Sequence, residues 1–385
     1  MKKVVLSLAG VLAAAAFAPE ASAIPAFARQ TGMACSACHA QHFPILNGFG
    51  RAFKAAGFTM MGAQEKVEGE HLSLPAVLNF GQLLKVRYQK TSGTAGTPSG
   101  VDTNGGQWQF PDEYALFVGG RLADNGTIKV GVMAENALAG TPAGIVAGLR
   151  VPVVVELDAA KISVIPFTTD SLGAFYGYSE SSAGVVRSIR WAEHRKEISA
   201  HQYTGVGSGA ATGIALLAHN DMGYINVTRF APEFASATQM ASTAFHIAAT
   251  PTIADWATVI SAEIVSGNTA FNVPTKGSGV SAQAHGELAG MEAGVYGQYS
   301  KGGDAAGIYG AKSAATAGID VTVVPHTLSI GAAYRGATSK DNAYTFTAVY
   351  DLAQNVALVA NFTKYNLVQG TNGDTLFTGM LEAAW

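Results

Sequence analysis

The amino-acid sequence predicts a mainly β protein, an antiparallel β-barrel of about 16 strands preceded by a small helical segment. Three observations support this prediction. Apolar and polar residues alternate with a period of two over most of the chain, and glycine contributes 45 of the 385 residues. In addition, 48% of the residues are hydrophobic and only 13% are charged, about half of the share usual in soluble domains. Part of the surface is therefore expected to face something other than water.

The composition excludes several classes of protein. Two cysteines cannot hold together a disulfide-dense scaffold, and the apolar content excludes a disordered chain. The formal net charge of −3, without any basic cluster, gives no electrostatic basis for binding nucleic acid. Beyond the N-terminus no uncharged apolar run reaches 18 residues, so helices that span a membrane are not expected.

The N-terminus predicts an export signal over residues 1–23. Two lysines precede an apolar run from Val4 to Phe17, and a small-residue cleavage site, Ala-Ser-Ala, ends at Ala23. The run is shorter than the roughly 20 residues that a spanning helix needs, which disfavours the alternative of an uncleaved anchor. We expect export by the Sec route, out of the bacterial cytoplasm.

The only two cysteines form the motif Cys35-Ser36-Ala37-Cys38-His39, a C-x-x-C-H attachment signature for c-type haem. Two thiols three positions apart can add to the two vinyl groups of one porphyrin, and the imidazole that follows then lies under the iron. We expect one covalent haem c, with Cys35 and Cys38 as thioether sites and His39 as the proximal axial ligand.

Three other interpretations of this motif compete with haem. A redox-active thiol pair would be expected within a thioredoxin-like βαβ pattern, which the surrounding sequence lacks. A zinc site would need a second pair of ligands at matched spacing, and the chain has no further cysteine. A plain disulfide across two intervening residues would constrain little of the chain.

The distal ligand of the iron is not determined by the sequence. His42 lies one helical turn after His39 and is expected on the same side of the ring. A methionine would raise the reduction potential relative to a second histidine, but each methionine is individually a packing residue more often than a ligand. The other candidates are Met33, Met60, Met61 and His71.

Residues 24–75 are predicted to form the haem-bearing segment. A short helix is expected from Phe43 to Ala56, with an apolar stripe of Leu46, Phe49 and Phe53. About 50 residues bury a porphyrin and their own core poorly, because domains of this size are marginal alone. The segment is therefore expected to pack against the rest of the chain.

Residues 76–385 are predicted to form the outer-membrane barrel. The segments 328–334, 344–350 and 356–362 alternate between an apolar face and a small or polar face, as lipid-facing and lumen-facing residues do. Short turns alternate with longer Gly/Ser/Thr-rich connections, and the chain ends in the aromatic Trp385. A water-soluble sandwich or β-helix is the alternative, since soluble antiparallel sheets also alternate.

Two polar stretches interrupt this pattern. The basic stretch from Gly184 to Lys196 is predicted to be a loop or a short helix. Asp102, Asp112 and Glu113 are expected near a loop, where a solvated surface is the simpler interpretation than an iron site.

A resemblance to a known family becomes visible in the N-terminal block. Within Ile24–Met60, the pieces IPAFAR, GM, CSACH, HFP, LN, FGR and FK resemble the outer-membrane fused monohaem cytochrome–porin family. In that family one c-type haem segment precedes a barrel of about 16 strands. The resemblance implies the roles of Cys35, Cys38 and His39 given above. It covers the haem segment in detail, and the barrel only in type and length.

The resemblance implies extracellular electron transfer. Members of the family are implicated in Fe(II) oxidation at the cell surface, which implies an Fe(II):cytochrome oxidoreductase activity, with outer-membrane lipid, an extracellular donor and a periplasmic c-type cytochrome as partners. Three alternatives stay open: a passive porin with a haem-bearing plug, a conduit that carries electrons outward, and a soluble periplasmic cytochrome joined to a partner-binding β domain.

Overall fold

The computed structural model describes residues 25–40, 45–62, 64–70, 72–92, 104–137, 145–180, 199–267, 276–302, 312–340, 342–353, 355–366 and 375–385. The predicted export signal, His42, His71, Asp102 and the stretch from Gly184 to Lys196 lie outside these residues.

The chain forms a closed antiparallel barrel of 16 strands, as predicted. The barrel runs from β3 to β20 and is closed by the pairing of β20 with β3. Two of its strands are interrupted, because β6 and β7 share both neighbours and β12 continues β11 along β13. A separate hairpin, β1 and β2, precedes the barrel. The strands are β1 Lys66–Gly69, β2 Leu72–Pro75, β3 Phe80–Thr91, β4 Gln107–Asp124, β5 Ile128–Ala137, β6 Ile145–Arg150, β7 Val153–Glu156, β8 Lys161–Thr169, β9 Ala211–Asn220, β10 Gly223–Ala231, β11 Ser242–Ala249, β12 Thr252–Ile253, β13 Trp256–Ser266, β14 Gly277–Leu288, β15 Met291–Gly302, β16 Ser313–Val324, β17 Leu328–Ala337, β18 Ala343–Ala353, β19 Val356–Tyr365 and β20 Thr375–Ala384.

Tight turns lie at one end of the barrel and longer connections at the other. The turn between β14 and β15 has two central residues, Ala289 and Gly290, with φ of 52° and 81°. Positive φ at both positions is the type I′ geometry that suits the twist of paired strands. We call this end of the barrel, with the turns 125–127, 157–160, 221–222, 254–255, 289–290 and 325–327, the short-turn end.

The strands alternate as the sequence predicts. Ile330, Tyr334 and Phe346 are among the large apolar side chains exposed on the outer face, while Thr316 and Asn361 are among the small and polar side chains buried on the inner face. Asp112 and Glu113 lie in β4, shortly after the strand begins at Gln107. Both carboxylates form ion pairs with β3, Asp112 with Arg87 and Glu113 with Lys85.

Four short helical elements accompany the barrel among the described residues. They are α1 Pro25–Thr31, the 3-10 turn Cys35–Ala37, α2 Gly48–Ala55 and α3 Ala200–Thr204. None of these described helices combines the length and apolar character needed to cross a bilayer as a helix.

The helix predicted from Phe43 begins later, at Gly48. Leu46 instead forms an isolated antiparallel bridge with His39, and Asn47 caps the helix by accepting a hydrogen bond from the N–H of Gly50. The cap and the bridge together outweigh the apolar periodicity on which the prediction rested.

The first part of the predicted haem-bearing segment, which we call the haem segment (residues 25–62), lies inside the barrel. Phe53 packs against Leu83 of β3, whereas Ile45 packs against Tyr296 of β15 and Ala333 of β17. Because these strands lie on different sides of the barrel, the segment must occupy the lumen between them. The expectation that the segment packs against the rest of the chain is confirmed.

A second stretch of chain also folds into the lumen. We call residues 170–180 and 199–209 the inward segment. Its buried aromatic side chains pack against inward-facing strand residues, and the Nε2 atom of His201 on α3 hydrogen-bonds a carboxylate oxygen of Glu263 on β13. The two inner segments meet where Nζ of Lys54 lies 5.8 Å from the ring centroid of Tyr178.

Candidate functional site

The two cysteines and the histidine of the C-x-x-C-H motif lie on one helical turn. The backbone N–H groups of Cys38 and His39 both donate to the carbonyl oxygen of Cys35, at 3.1 and 3.0 Å. Positions three and four apart on a helical turn share one side. Cys35, Cys38 and His39 consequently line the same cavity.

A backbone carbonyl holds the ring of His39 in one orientation. Nδ1 of His39 lies 3.0 Å from the carbonyl oxygen of Ile45. A carbonyl oxygen only accepts, so Nδ1 carries the proton and Nε2 carries the lone pair. Histidines that bind metals are oriented in this way by an acceptor behind the ring. The geometry therefore suits an iron ligand.

The beginning of α2 clamps the motif turn. The Nδ2 atom of Asn47 donates to the carbonyl oxygen of Ala37 at 3.1 Å. The backbone N–H of Asn47 donates to the carbonyl oxygen of Cys38 at 3.0 Å. Gly50 is needed at this contact, because a Cβ there would lie 2.1 Å from the Cys38 carbonyl oxygen. The motif turn and α2 therefore form one packed unit.

The cavity beside the motif has a volume of about 920 Å³, its open mouth included. Haem is a large apolar ring with two carboxylate groups, so it needs an apolar cavity with a few charged groups. Two thiols and an oriented imidazole complete a set of residues that fits a c-type haem. The main apolar lining residues are Phe27, Leu46, Phe53, Phe58, Leu83 and Phe117.

The charged residues of the cavity include two buried cations. Burial, together with repulsion from Arg150, holds the pKa of Lys54 well below its usual value. The guanidinium of Arg150 lies over the rings of Phe58 and Tyr176, 5.2 and 4.7 Å from their centroids. Two carboxylates, Glu113 and Glu135, also line the cavity, and Glu113 forms an ion pair with a lysine of β3. An anionic group near Lys54 and Arg150 would offset the cost of burying both cations.

The environment of the cysteines disfavours a redox-active thiol pair. Both are free thiols, and burial raises the pKa of the Cys38 thiol. Reactive thiol pairs depend on a lowered pKa, because the thiolate is the attacking species.

The structure separates the candidate distal ligands. Met33 lines the cavity. Met60 packs against a cluster beside the cavity that includes Phe53, Phe58 and Phe117. Met61 is not among the described lining residues. His42 and His71 lie outside the described residues.

Several residues of the cavity were missed by sequence reasoning. Met133 on β5 and Arg150 on β6 come from barrel strands more than 90 positions after the motif. Alternation along β5 was the available signal, since Met133 and Glu135 share the inner face while Val132 lies on the outer one. It identifies a face of the barrel, but not which inner residues meet the haem segment.

The buried side chain of Gln30 joins the haem segment to the barrel wall. Nε2 of Gln30 donates to the carbonyl oxygens of Phe58 and Met60, at 2.6 and 2.8 Å. Oε1 of Gln30 accepts from Nδ2 of Asn79 and from the backbone N–H of Arg121, both at 3.0 Å. The amide group therefore makes two hydrogen bonds within the segment, from helix α1 to residues 58 and 60, and two to the barrel wall.

A second cavity reaches His39 from the short-turn end. It encloses about 1410 Å³, open mouth included, and is lined on one side by Ser36 and His39. The barrel strands and turns on its other side contribute three exposed carboxylates, those of Asp255, Glu287 and Glu292. The motif is therefore approached through an acidic opening.

Comparison with known proteins identifies the fold. A triple mutant of the Rhodopseudomonas blastica porin matches with a TM-score of 0.52 and 10% identity over 80% of this chain and 100% of its own. A loop-deletion mutant of OmpT, an outer membrane protein of Vibrio cholerae, matches at 0.50 and 13%, covering 80% and 99%. A structure described as "Asymmetric conductivity of engineered proteins" matches at 0.53 and 12%, covering 80% and 100%. The barrel is porin-like.

No protein-family model matches the chain, and no curated protein matches it significantly.

Proposed function

We propose that this protein is an outer-membrane electron conduit, which takes electrons from an extracellular donor, Fe(II), and passes them through one covalent c-type haem to a periplasmic cytochrome. The observation that carries the proposal is the single cavity lined by both thiols of the motif and by the oriented imidazole of His39. A haem bound there would take up and release one electron at a time.

The residues around the cavity have separate roles in this proposal. Cys35 and Cys38 attach the ring, and the bond from His39 to the carbonyl of Ile45 keeps Nε2 directed to the iron. Lys54 and Arg150 offset the charge of the ring carboxylates. The aromatic walls keep water away, and burial of this kind is one means by which a protein sets a haem potential.

The membrane assignment rests on the two faces of the barrel. Its outer face exposes large apolar and aromatic side chains, among them Ile330, Tyr344 and Phe362, whereas polar side chains fill the inner face. Exposed apolar surface of this extent is unfavourable in water and favourable in lipid. In outer-membrane barrels the short turns face the periplasm, so the opening beside His39 would face that compartment.

The filled lumen favours a conduit over a passive porin. The haem segment and the inward segment contact each other and the strands around them, which narrows any aqueous path. A lipid bilayer insulates, and electrons tunnel usefully over short distances only, so a haem inside the barrel would shorten the step across the membrane. Fe(II) as the donor is supported by the resemblance of the N-terminal block.

The acceptor side is supported by charge. The carboxylates of Asp255, Glu287 and Glu292 surround the opening beside His39. Electrostatic complementarity speeds encounter and selects partners. A periplasmic cytochrome with a positively charged face around its own haem is therefore the acceptor that this opening suits.

The proposal is tested optically on the detergent-solubilised protein. The oxidised protein is mixed with Fe(II) without oxygen, at acidic and at neutral pH, and the haem bands are followed. Rapid reduction is expected in the wild type and in Ser36→Ala, a matched change inside the motif. No covalent haem is expected in the double variant Cys35→Ala/Cys38→Ala.

Two results would contradict the proposal. A haem that dithionite reduces and Fe(II) does not would exclude this donor and favour an outward conduit. Solute permeability in liposomes without electron transfer across them would favour a passive porin with a haem-bearing plug.

A further inference from the structure

The cavity has two walls of different origin. One wall belongs to the haem segment and carries the motif with His39. The other is formed by inward-facing residues of strands β3 to β6, including Phe117, Met133, Glu135 and Arg150. A flat ring attached to the first wall would have its second face towards the second wall.

Met133 supplies a thioether sulfur, a soft donor atom, to that second wall. Among the described residues that β3 to β6 contribute to the cavity, it alone has a thioether or an imidazole. Thioether sulfur is an established axial ligand of haem iron in electron-transfer proteins. Met33 also lines the cavity, but it stands two residues before Cys35, on the same wall as the motif.

The sulfur of Met133 is held in place by its neighbours. Its Sδ accepts a hydrogen bond from Nη2 of Arg150 at 3.0 Å, and the hydroxyl of Tyr176 lies 3.7 Å from it. Arg150 is held in turn, since its Nη1 donates to the carbonyl oxygen of Tyr176 at 2.8 Å. Methionine is normally the most adaptable of core side chains, so a sulfur held by an arginine is unusual for a residue that only fills space. The bond from Arg150 takes one of the two lone pairs of the sulfur, and a bond to iron would take the other in place of the long contact with the Tyr176 hydroxyl.

We propose that Met133 is the distal axial ligand of the haem iron, with Arg150 and Tyr176 as positioning residues. The proposal rests on the proposed haem site. Under it, the segment supplies the covalent attachment and one ligand, while the barrel supplies the other ligand. Six-coordinate haem then forms only when the segment is docked inside the closed barrel, so the coordination state of the iron reports on docking.

This ligand set has a functional consequence. A thioether raises the reduction potential relative to a second histidine, because it stabilises the ferrous iron. A high potential is what a haem needs in order to accept electrons from Fe(II). His39 and Met133 together therefore suit the inward direction of electron flow.

The test is spectroscopic and does not depend on turnover. Ferric haem with a methionine ligand has a weak sulfur-to-iron charge-transfer band at the red end of the spectrum, which bis-histidine haem lacks. We expect this band in the wild type, its loss in Met133→Leu together with a lower midpoint potential, and its retention in Met33→Leu and Met60→Leu. Met133→His should restore six-coordinate low-spin haem without the band.

Each outcome is decisive. A band that persists in Met133→Leu, a band that disappears in Met33→Leu, or a wild-type haem without the band would overturn the proposal. Wild-type protein without covalent haem would contradict the proposed function instead. Folding of the variants is judged by heat-dependent electrophoretic mobility. If no variant at position 133 folds, the test uses NMR spectra of the reduced protein labelled at the methionine methyl carbons, in which a methionine bound to the iron gives a strongly upfield-shifted methyl signal. This signal must be present in Met33→Leu and in Met60→Leu, and its loss in either variant would refute Met133 as the ligand.

Discussion

Replacing Gln30 by alanine is expected to release the haem segment from the barrel wall while the barrel stays closed. The buried amide of Gln30 makes four hydrogen bonds. The two that its Oε1 accepts, from Asn79 and from the backbone N–H of Arg121, reach the barrel wall, while the two that its Nε2 donates, to Phe58 and Met60, stay within the segment. At about 1 kcal/mol net for each bond to the wall, docking loses about 2 kcal/mol. Since about 1.4 kcal/mol corresponds to a factor of ten, the docking equilibrium should shift about 30-fold towards the released state.

Tryptic cleavage of the segment measures this shift. Arg51 and Lys54 are both buried in the docked segment, so cleavage after either residue requires release. When opening is fast relative to cleavage, the rate follows the population of the open state. The rate should therefore rise by up to about 30-fold in Gln30→Ala. Gln239→Ala, an exposed glutamine in the connection before β11, is the matched control and should cleave like the wild type.

The barrel itself is monitored by heat-dependent electrophoretic mobility, which should be the same in all three proteins. A rise of less than about threefold in Gln30→Ala, with the barrel closed, would refute the conclusion that this amide fastens the segment. An equal rise in Gln239→Ala would show that the assay responds to something other than docking.

Two further changes address the cap of α2 and the attachment of the inward segment. Asn47→Ala removes the cap bond to Gly50 and should cost about 1 kcal/mol, seen as a lower guanidinium midpoint for release of the segment; an unchanged midpoint would contradict the capping role. Burial lowers the pKa of His201, but attraction to Glu263 outweighs it, so the pKa stands above its usual value. The stabilisation from this pair is complete below about pH 6.5, the ordinary pKa of histidine, and is lost as the pH rises through the raised value. Chymotryptic cleavage after Tyr203, corrected for the activity of the protease, should accelerate with pH in the wild type and not in Glu263→Gln. A rate independent of pH in the wild type would count against the pair.

The barrel was predictable because its determinants are local. Alternation along a strand places every second residue on the same face, so segments such as 328–334 and 344–350 reveal both their conformation and their two environments. Tight turns then limit the pairing to neighbours along the chain. The strand number followed from length alone, and closure by β20 with β3 agrees with it.

The beginning of α2 was not predictable to the same degree. Apolar spacing of Leu46, Phe49 and Phe53 suggested a helix from Phe43, yet Leu46 pairs with His39 and Phe49 is partly exposed, at 39%. The clamp between Asn47 and the motif turn decides where the helix begins. That clamp forms only because the chain folds back on the motif. The spacing of apolar residues along the sequence carries no information about such a contact.

By itself, the sequence determined the class of fold and predicted the chemistry of attachment. The motif from Cys35 to His39 is readable because five adjacent residues contain two thiols and one imidazole, and a single helical turn brings them together. Only the tertiary structure decided what faces them. Met133 and Arg150 reach the cavity through the closure of the barrel around the segment, and Gln30 meets Asn79 and Arg121 in the same way. Their positions depend on contacts between residues far apart in the chain, and such contacts form only when the lumen is filled.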